Sequence, residues 1–364
     1  MEYSLNDKAI IFYSAFELTY KKLEDIFALS NPVSNILTNH EDYLDEIKSI
    51  VNDSSTFDKI FVALSENKFI DSYIKNLNDK DIVCITYLSK EYPESLKNIE
   101  KPPFTLFCKG DISLLNSECI AIVGTRKPTA YGKIVTEKFA EGLAVNGFTI
   151  VSGMAAGVDS ISHKTALSNN GKTIAVLGSG FENIYPTFNL ELSKQIEKNG
   201  LLVSEYCPSV KPALFTFPFR NRIIAGLSKG VLITEAGEKS GSLHTKEYAL
   251  EQGKEVFAVP GNINSENSKG TNRLIRSLQG ACVLGYEDIV QKFKTDVITK
   301  NDVIKNQISF DEDVILKSLK TGEKTLEELQ ELTRLPINKL NSALTIYEIK
   351  GIIKKLPGNK VILM

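Results

Sequence analysis

Seven short apolar runs, separated by helical stretches from Cys119 onward, constrain the fold of this chain more than any other feature. The runs are CIAIVG, FTIVSG, TIAVLG, LLVSEY, GVLITEA, EVFAVPG and ACVLGY. Each is nearly continuous in apolar and β-branched residues, as is typical of parallel strands covered on both faces. The stretches between them, such as LHTKEYALEQG, have helical character and end at glycines. The alternation predicts an α/β fold with a doubly wound, mostly parallel sheet of six or seven strands.

The segments on either side have different patterns. Residues 1–85 contain short amphipathic stretches and predict a small helical domain. A proline-bearing segment then opens the central domain, residues 86–295, and its composition predicts a link wrapped on that domain. Residues 296–310 are polar and predict a linker. Residues 311–364 indicate three helices and a hairpin that turns at residues 357–359, which is a winged-helix pattern.

Composition and charge exclude few functions. The formal charge of −2 means that a nucleic-acid partner would need locally concentrated positive charge. Five cysteines lie far apart without a CxxC pair, which favours neither zinc nor disulfides and indicates a reducing cytoplasm. Neither a signal-peptide pattern nor an apolar stretch of about 18 residues is present, so we expect no membrane association.

Glycines and small polar residues follow several of the expected strands. In an open parallel sheet, ligands bind outside the carboxyl ends of the strands. Glycine lets backbone amides approach a phosphate there, and the helix N-termini add partial positive charge. Tight strand-to-helix turns are the alternative explanation for each glycine alone. Taken together, the ends predict a site for an anionic ligand that includes Gly124, Thr125, Gly153 and Ser179.

Arg126 and Lys127 follow the first expected strand. The permanently charged guanidinium of Arg126 suits a phosphate, and a salt bridge to a neighbouring carboxylate is the alternative. The run GTRKPTAYGK lacks the spacing of a P-loop, and GSGFEN lacks the third glycine of the dinucleotide fingerprint. The sequence therefore predicts neither ATP nor NAD, and no other cofactor.

The run FTFPFRNRIIAGLS, residues 215–228, places three phenylalanines directly before Arg220, Asn221 and Arg222. Aromatic rings beside positive charge are typical of proteins that hold single-stranded nucleic acid, because bases stack on rings and cations contact phosphates. We therefore expect Phe217 to stack on a base and the two arginines to meet phosphates. A core position for one or two of the three rings is the alternative.

Candidate catalytic residues are few. His163 lies four residues after Asp159, and this spacing predicts a structural pair on one helix. Glu205 and Glu235 end neighbouring strands and have acid–base chemistry available. Acceptance of hydrogen bonds from loop amides is the favoured interpretation of both carboxylates. The sequence predicts a protein without enzymatic activity or a metal site.

A series of runs between about residues 86 and 284 carries a family pattern. They include YPESL, PPFTLFCKGD, IAIVGTRKPTAYG, IVSGMAAGVDSISHKTAL, GKTIAVLGSGFENIYPTFN and FPFRNRIIAGLSKGVLITEAGEKSGSLHTKEYALEQGKEVFAVPG. In order and spacing they resemble the DNA-processing protein A (DprA/Smf) family of bacteria. The resemblance implies a Rossmann-like domain that binds single-stranded DNA, with a helical SAM-like domain before it and a winged helix after it. It also implies a homodimer that protects incoming DNA and helps load RecA recombinase in natural transformation.

The resemblance also implies roles for individual residues. The phosphate-binding arginine of the family falls on Arg126, and the aromatic residue that stacks on a base falls on Phe217. Gly153 and Ser179 lie at the glycine-rich ends that would complete the groove.

Two positions depart from the family pattern. Ala156 stands where many members have a basic residue, and Leu214 stands where some have one near the stacking ring. The resemblance leaves Lys127, Lys211 and Lys254 as the cations that could compensate.

Two other functions remain as alternatives. Nucleoside-monophosphate N-glycosidases combine a related fold with a PGGxGTxxE run, of which EAGEKSGSLHTKE keeps a partial echo, with Glu247 as the possible acid. A sensor of signalling nucleotides is the second alternative. Residues 243–259 are a candidate dimer surface, although core packing explains their apolar character equally well.

Overall fold

The computed structural model describes residues 2–66, 68–294, 314–320, 322–349, 352–356 and 359–363. The chain forms two compact units, Met1–Val297 and Ile298–Met364. Each unit has a buried apolar core of its own.

Within the described residues, six α-helices precede the sheet and enclose an aromatic core. They are α1 (Leu5–Ser14), α2 (Tyr20–Phe27), α3 (Asn35–Thr38), α4 (Leu44–Val51), α5 (Ser54–Ser65) and α6 (Phe69–Asp79). Ser4 and Asp7 form a capping box that satisfies the free amides at the start of α1. The rings of Phe12 and Phe69 pack edge to face with centroids 5.6 Å apart. The helical character predicted for this region is confirmed.

A nine-stranded sheet forms the centre of the first unit. Its strands are β1 (Val83–Thr86), β2 (Thr105–Gly110), β3 (Cys119–Val123), β4 (Thr149–Ser152), β5 (Thr173–Val176), β6 (Leu201–Ser204), β7 (Gly230–Ile233), β8 (Glu255–Ala258) and β9 (Ala281–Cys282). They lie in the order β1-β2-β6-β5-β4-β3-β7-β8-β9, and all neighbours from β6 to β9 are parallel. The predicted mostly parallel α/β sheet is confirmed, and its seven expected strands are β3 to β9.

Two further strands precede those seven. β1 pairs with β2, and β2 pairs with β6, both antiparallel. The prediction that this proline-bearing segment only links two domains is therefore wrong, because its Leu106 and Phe107 are buried in the sheet. The boundary predicted after residue 85 falls inside β1. The helical region also contacts the sheet directly, since the hydroxyl oxygens of Ser14 and Thr105 are 2.9 Å apart. Independent folding of the helical region stays a prediction.

Helices cover both faces of the sheet. They are α7 (Glu94–Lys97), α8 (Ala130–Val145), α9 (Val158–Ser168), α10 (Leu190–Asn199), α11 (Thr216–Leu227), α12 (Ser242–Glu251), α13 (Lys269–Arg276) and α14 (Tyr286–Phe293). Along β3, Ala121 and Val123 belong to the core on one face, and Ile120 and Ile122 belong to the core on the other. Burial of both faces explains the continuously apolar strands. In the described ranges, no helix combines the length and the apolar character that a membrane span requires.

The order of the strands places a switch point beside β3. β4, β5 and β6 lie on one side of β3, whereas β7, β8 and β9 lie on the other. The connections that follow β3 and β7 therefore diverge from neighbouring carboxyl ends. A crevice at such a point is where open α/β sheets bind their ligands.

The second unit is small and mixed in structure. Its described elements are α15 (described over residues 314–319), β10 (Lys324–Thr325), α16 (Leu326–Thr333), α17 (Ile337–Ile349), β11 (Ile353–Leu356) and β12 (Lys360–Leu363). β12 pairs antiparallel with both β10 and β11. Three helices and a hairpin occur in the expected order, and the winged-helix assignment stays a prediction. Residues 357 and 358 of the predicted turn, and the predicted linker 296–310, lie outside the described residues.

Candidate nucleic-acid interface

A cavity of about 580 Å³ lies at the carboxyl ends of β3 and β7. One wall is the turn that follows β3, with Gly124, Thr125 and Arg126. The first turns of α11, the loop between β7 and α12 and the start of α12 add to the lining, together with Asp159 and Tyr185. The cavity therefore occupies the switch point of the sheet.

The turn after β3 is held rigidly by hydrogen bonds. The amide of Thr125 donates to the carbonyl of Glu235 over 2.7 Å. The carboxylate of Glu235 accepts from the amide and the hydroxyl of Thr129, at 2.8 and 2.6 Å. A side chain at Gly124 would collide with Val158, because its Cβ would lie 2.7 Å from that methyl group. These contacts fix where the turn presents Arg126.

Arg126 and Phe217 lie together at the mouth of the cavity. The Cζ atom of Arg126 is 5.9 Å from the centroid of the Phe217 ring. Arg126 is exposed, and it forms no ion pair with any described residue, so the salt-bridge alternative is not observed. The structure thus brings the predicted phosphate-binding and stacking residues side by side.

The ring of Phe217 is supported from two directions. It packs over Gly178, where an added Cβ would lie 2.8 Å from the ring atom Cδ1. Its centroid is 5.5 Å from that of Tyr185, a residue that is 48% exposed and lines the same cavity. Sequence reasoning missed Tyr185, because the run NIYPTFN that contains it suggests a family and not a role. Two partly exposed rings therefore stand at this site.

Arg220 lines the cavity, but its guanidinium is engaged within the protein. It donates to the carbonyl of Gly153 over 2.9 Å and to the carbonyl of Val176. Its Nε donates to the side-chain oxygen of Asn221 over 3.1 Å. Burial lowers the pKa of Arg220 to about 10, against the favourable charge of Asp159. The expected phosphate contact by Arg220 is therefore corrected to a structural role, in which it joins the ends of β4 and β5. Asn221 lines the cavity, and its contact with a nucleic acid stays a prediction.

Arg222 is fully buried and cannot reach a phosphate. It is 1% exposed and forms a two-pronged pair with Glu205, with N–O distances of 2.7 and 2.6 Å. It also donates to the carbonyl of Lys101 over 2.9 Å, and its Cζ lies 3.8 Å from the Phe219 ring. The predicted phosphate contact by Arg222 is wrong, because its guanidinium is paired with Glu205, the residue that follows β6.

Two other predicted residues face inward. The amide of Gly153 donates to Asp159 over 3.1 Å, and a Cβ at this glycine would lie 2.5 Å from Arg220. Ser179 is 1% exposed, and its hydroxyl donates to the carbonyl of Asn183 over 2.7 Å. Gly153 and Ser179 therefore support the ends of β4 and β5 and do not line the cavity.

The three candidate lysines lie outside the lining of the cavity. Lys127 is exposed in the turn after β3, where its carbonyl accepts from Asn267 over 3.0 Å. Lys254 precedes β8 and so lies at the amino end of a parallel strand, on the opposite edge of the sheet, where burial lowers its pKa. Its predicted place in the groove is therefore wrong. Lys211 lines a separate groove beside α2.

The candidate catalytic groups are also engaged or remote. The predicted pair of Asp159 and His163 is wrong: His163 Nδ1 lies 2.6 Å from the hydroxyl of Thr173, whereas Asp159 accepts from the amides of Gly153 and Ala155. Burial lowers the pKa of His163 to about 3. Asp159 is the one carboxylate among the described residues of the cavity lining. Burial raises the pKa of Asp159, and the positive charge of Arg220 opposes this shift. The described residues contain no group of three or more side chains suited to a metal ion.

Similarity to known proteins identifies the family. A family model described as DNA recombination-mediator protein A matches residues 83–294. DNA processing protein DprA of Bacillus subtilis (strain 168) is 43% identical over 254 residues, which cover 68% of this chain and 85% of that protein. Protein Smf of Escherichia coli (strain K12) is 38% identical over 285 residues, which cover 75% of each.

Solved structures support the same relationship. The X-ray structure of DNA processing protein A from Streptococcus pneumoniae matches with a TM-score of 0.67 and 34% identity, covering 81% of this chain and 99% of the other. A structure that describes the single-stranded DNA binding mode of DNA processing protein A from Helicobacter pylori matches with a TM-score of 0.54 and 34% identity. It covers 60% of this chain and 97% of the other. The matched family model spans more than half of the sequence, and the chain therefore belongs to the DNA recombination-mediator protein A family, whose relatives carry the names DprA and Smf.

Proposed function

We propose that the cavity beside β3 binds single-stranded DNA. The observation that carries the proposal is the exposed guanidinium of Arg126, unpaired among the described residues and 5.9 Å from the ring of Phe217. Arg126 holds a backbone phosphate, and Phe217 stacks on the neighbouring base. Stacking of this kind contributes roughly 1–3 kcal/mol per base and requires an unpaired strand. The described binding mode of the Helicobacter pylori relative supports the same substrate.

The wider role follows from the family. Its description as a recombination mediator supports a part in DNA recombination, and we extend this proposal to natural transformation. We infer that the protein protects incoming single-stranded DNA and helps load RecA recombinase on it. RecA filament formation on strands already coated with single-strand-binding protein tests this role, and the protein should shorten the lag. An unchanged lag would remove RecA from the proposal.

The proposal also includes a homodimer. β9 is an edge strand whose Ala281 and Cys282 are exposed, and Leu278 and Leu284 beside it are 92% and 76% exposed. Open edges with exposed apolar side chains favour pairing with another chain. The candidate surface at residues 243–259 has less support, because its apolar residues include core members. The variant Leu278→Asp with Leu284→Asp should sediment as a monomer where the wild type is a dimer.

A binding function without catalysis fits the site better than the glycosidase alternative. Glu247, the acid that such an enzyme would need, is exposed on α12 with a carboxylate oxygen 3.2 Å from His244. It does not line the cavity, and Asp159 accepts hydrogen bonds from the amides of Gly153 and Ala155. Release of free base from nucleoside monophosphates is the direct assay. Measured turnover would restore the enzyme alternative.

We place the protein in the cytoplasm. All five cysteines are free thiols, and Cys84, Cys108, Cys119 and Cys207 are buried. Burial raises the pKa of the Cys119 thiol to about 11, so it stays protonated and unreactive. Free thiols are typical of proteins in a reducing compartment.

Loss of both proposed contacts is the central test. Arg126→Ala combined with Phe217→Ala should abolish the gel shift of an oligothymidylate, while the circular dichroism spectrum stays native. Both side chains lie at the mouth of the cavity, so their removal leaves the core intact.

The matched control removes an exposed ring and an exposed arginine elsewhere. Arg276→Ala with Phe61→Ala changes residues that are exposed and outside the cavity. This control should bind like the wild type. Equal binding by both double variants would show that the strand lies elsewhere.

A further inference from the structure

A second part of the cavity wall is built from the loop after β7 and the start of α12. Lys239, Ser240, Gly241, Ser242 and Thr245 line the cavity from this side. None of these five residues carries a negative charge, and the proposed phosphate and base contacts do not use them. The wall is thus available to a second part of the ligand.

Thr245 is an almost fully buried residue at the wall of the cavity. It is 1% exposed and lines the cavity, and its hydroxyl makes no hydrogen bond with any described residue. The neighbouring hydroxyls of Ser240 and Ser242 differ, because they lie 2.8 Å apart and form a hydrogen bond with each other. A hydroxyl at the wall of a cavity has a donor and an acceptor to offer to a ligand, as it has to water. The side chain of Thr245 is therefore placed to meet a polar atom of a ligand.

The same wall collects positive charge and free amides. α12 has ten residues, and its N-terminus faces the cavity with the partial positive end of the helix dipole. The amides of Gly241 and Ser242 donate to no acceptor among the described residues. Lys239 is exposed and forms no ion pair within the described part of the chain. Glu238 is exposed beside it but does not line the cavity.

We propose that the start of α12 is a second phosphate subsite, formed by Thr245, Lys239 and the amides of Gly241 and Ser242. Helix N-termini with free amides bind phosphate oxygens, and a hydroxyl and an ammonium group add donors. One strand can contact both walls because they enclose one cavity of about 580 Å³. The subsite takes a further phosphodiester of the strand whose first phosphate meets Arg126, and in this it rests on the proposed function.

Removal of the Thr245 hydroxyl is the first test. Thr245→Val keeps the shape of the side chain and should weaken oligothymidylate binding roughly tenfold, since hydrogen bonds to charged groups are among the stronger ones. Thr245→Ser keeps the hydroxyl and should restore most of the affinity. A purely structural role for Thr245 would lower the melting temperature of Thr245→Val without this rescue of binding.

The salt dependence of Lys239→Gln is the second test and does not depend on a buried substitution. Loss of one phosphate contact should reduce the slope of log K against log salt by about 0.7 for a single strand. Lys254→Gln, on the opposite edge of the sheet, should leave the slope unchanged.

The outcomes separate the two proposals. If the wild type fails to bind oligothymidylate, the proposed function fails. If Arg126→Ala with Phe217→Ala abolishes binding but Thr245→Val and Lys239→Gln retain wild-type affinity and slope, only the second subsite fails. Calorimetry with inorganic phosphate and thymidine monophosphate distinguishes the source of the phosphate. Binding of either as tightly as the oligomer would overturn the assignment to a strand.

Discussion

The turn after β3 and the first two turns of α11 both bring arginines to the carboxyl edge of the sheet, but they use the charge differently. Arg126 in the turn is exposed and has no ion-pair partner among the described residues. Arg220 and Arg222 in α11 are buried, and the charge of Arg222 is balanced by an ion pair with Glu205. The two arginines of α11, which are two positions apart, therefore support the fold, whereas Arg126 in a separate turn remains available to a ligand.

The largest expected effect is the loss of stability on breaking the buried pair. Arg222→Ala should lower the free energy of unfolding by about 3–5 kcal/mol, because Glu205 is left charged and nearly without solvent. Denaturant unfolding measures this loss. The exposed pair of Lys229 and Glu118 is the control, and Lys229→Ala should cost less than about 1 kcal/mol. Equal losses would remove the distinction between buried and exposed charge.

Arg126→Ala should give the reverse pattern. Its unfolding free energy should stay within about 0.5 kcal/mol of the wild type, because the side chain packs against no core. The dissociation constant for oligothymidylate should rise about 10- to 100-fold, as expected for loss of a hydrogen bond to a charged group. Fluorescence anisotropy across salt measures both the affinity and its slope. Destabilisation without weaker binding would place Arg126 with the structural arginines.

A smaller effect concerns the buried histidine near Arg220. Burial lowers the pKa of His163 to about 3, so the unfolded chain takes up a proton below about pH 6.5 that the folded chain does not. Stability is therefore lost as the pH falls from about 6.5 towards 3. Between about pH 7.5 and 5.5 the loss from this residue should be on the order of 1 kcal/mol.

Comparison with His163→Gln isolates this contribution. Unfolding of each protein, measured at both pH values, gives a pH-dependent loss that should be smaller in the variant. Parallel pH profiles would show that His163 is not buried in its neutral form.

The smallest effect is expected at the opposite edge of the sheet. Lys254→Gln should change the affinity for oligothymidylate by less than about twofold, since substitutions away from a site have small effects. The same anisotropy titration measures it. A tenfold loss would mean that the strand extends to the amino ends of the parallel strands.

Much of the fold could be predicted because burial leaves a direct mark on sequence. Strands β3 to β8 are covered on both faces and so appear as apolar runs, with the chain order of an α/β sheet. β1 and β2 left a weaker signal, since they are antiparallel, lie outside the strand–helix alternation and are separated by Pro102 and Pro103. Proline favours linking segments in sequence, and only pairing with β6 reveals the strands.

The site was predictable only in part. Arg126 and Phe217 follow from the rule that strand ends meet at one edge and from the family resemblance. The burial of Arg222 depends on Glu205 and on the carbonyl of Lys101, 121 positions away along the chain. Such distant partners leave no local pattern, and neither does the proximity of Tyr185 to Phe217.

Gly178 has a consequence for how such a platform can change. Its missing side chain sets the height of the Phe217 ring above the end of β5, since even one methyl group there would press within 2.8 Å of it. A Gly178→Ala exchange would force the ring to shift without replacing any residue proposed to touch DNA. The space available to a stacked base thus depends on a residue under the ring that is not itself proposed to contact the bound strand.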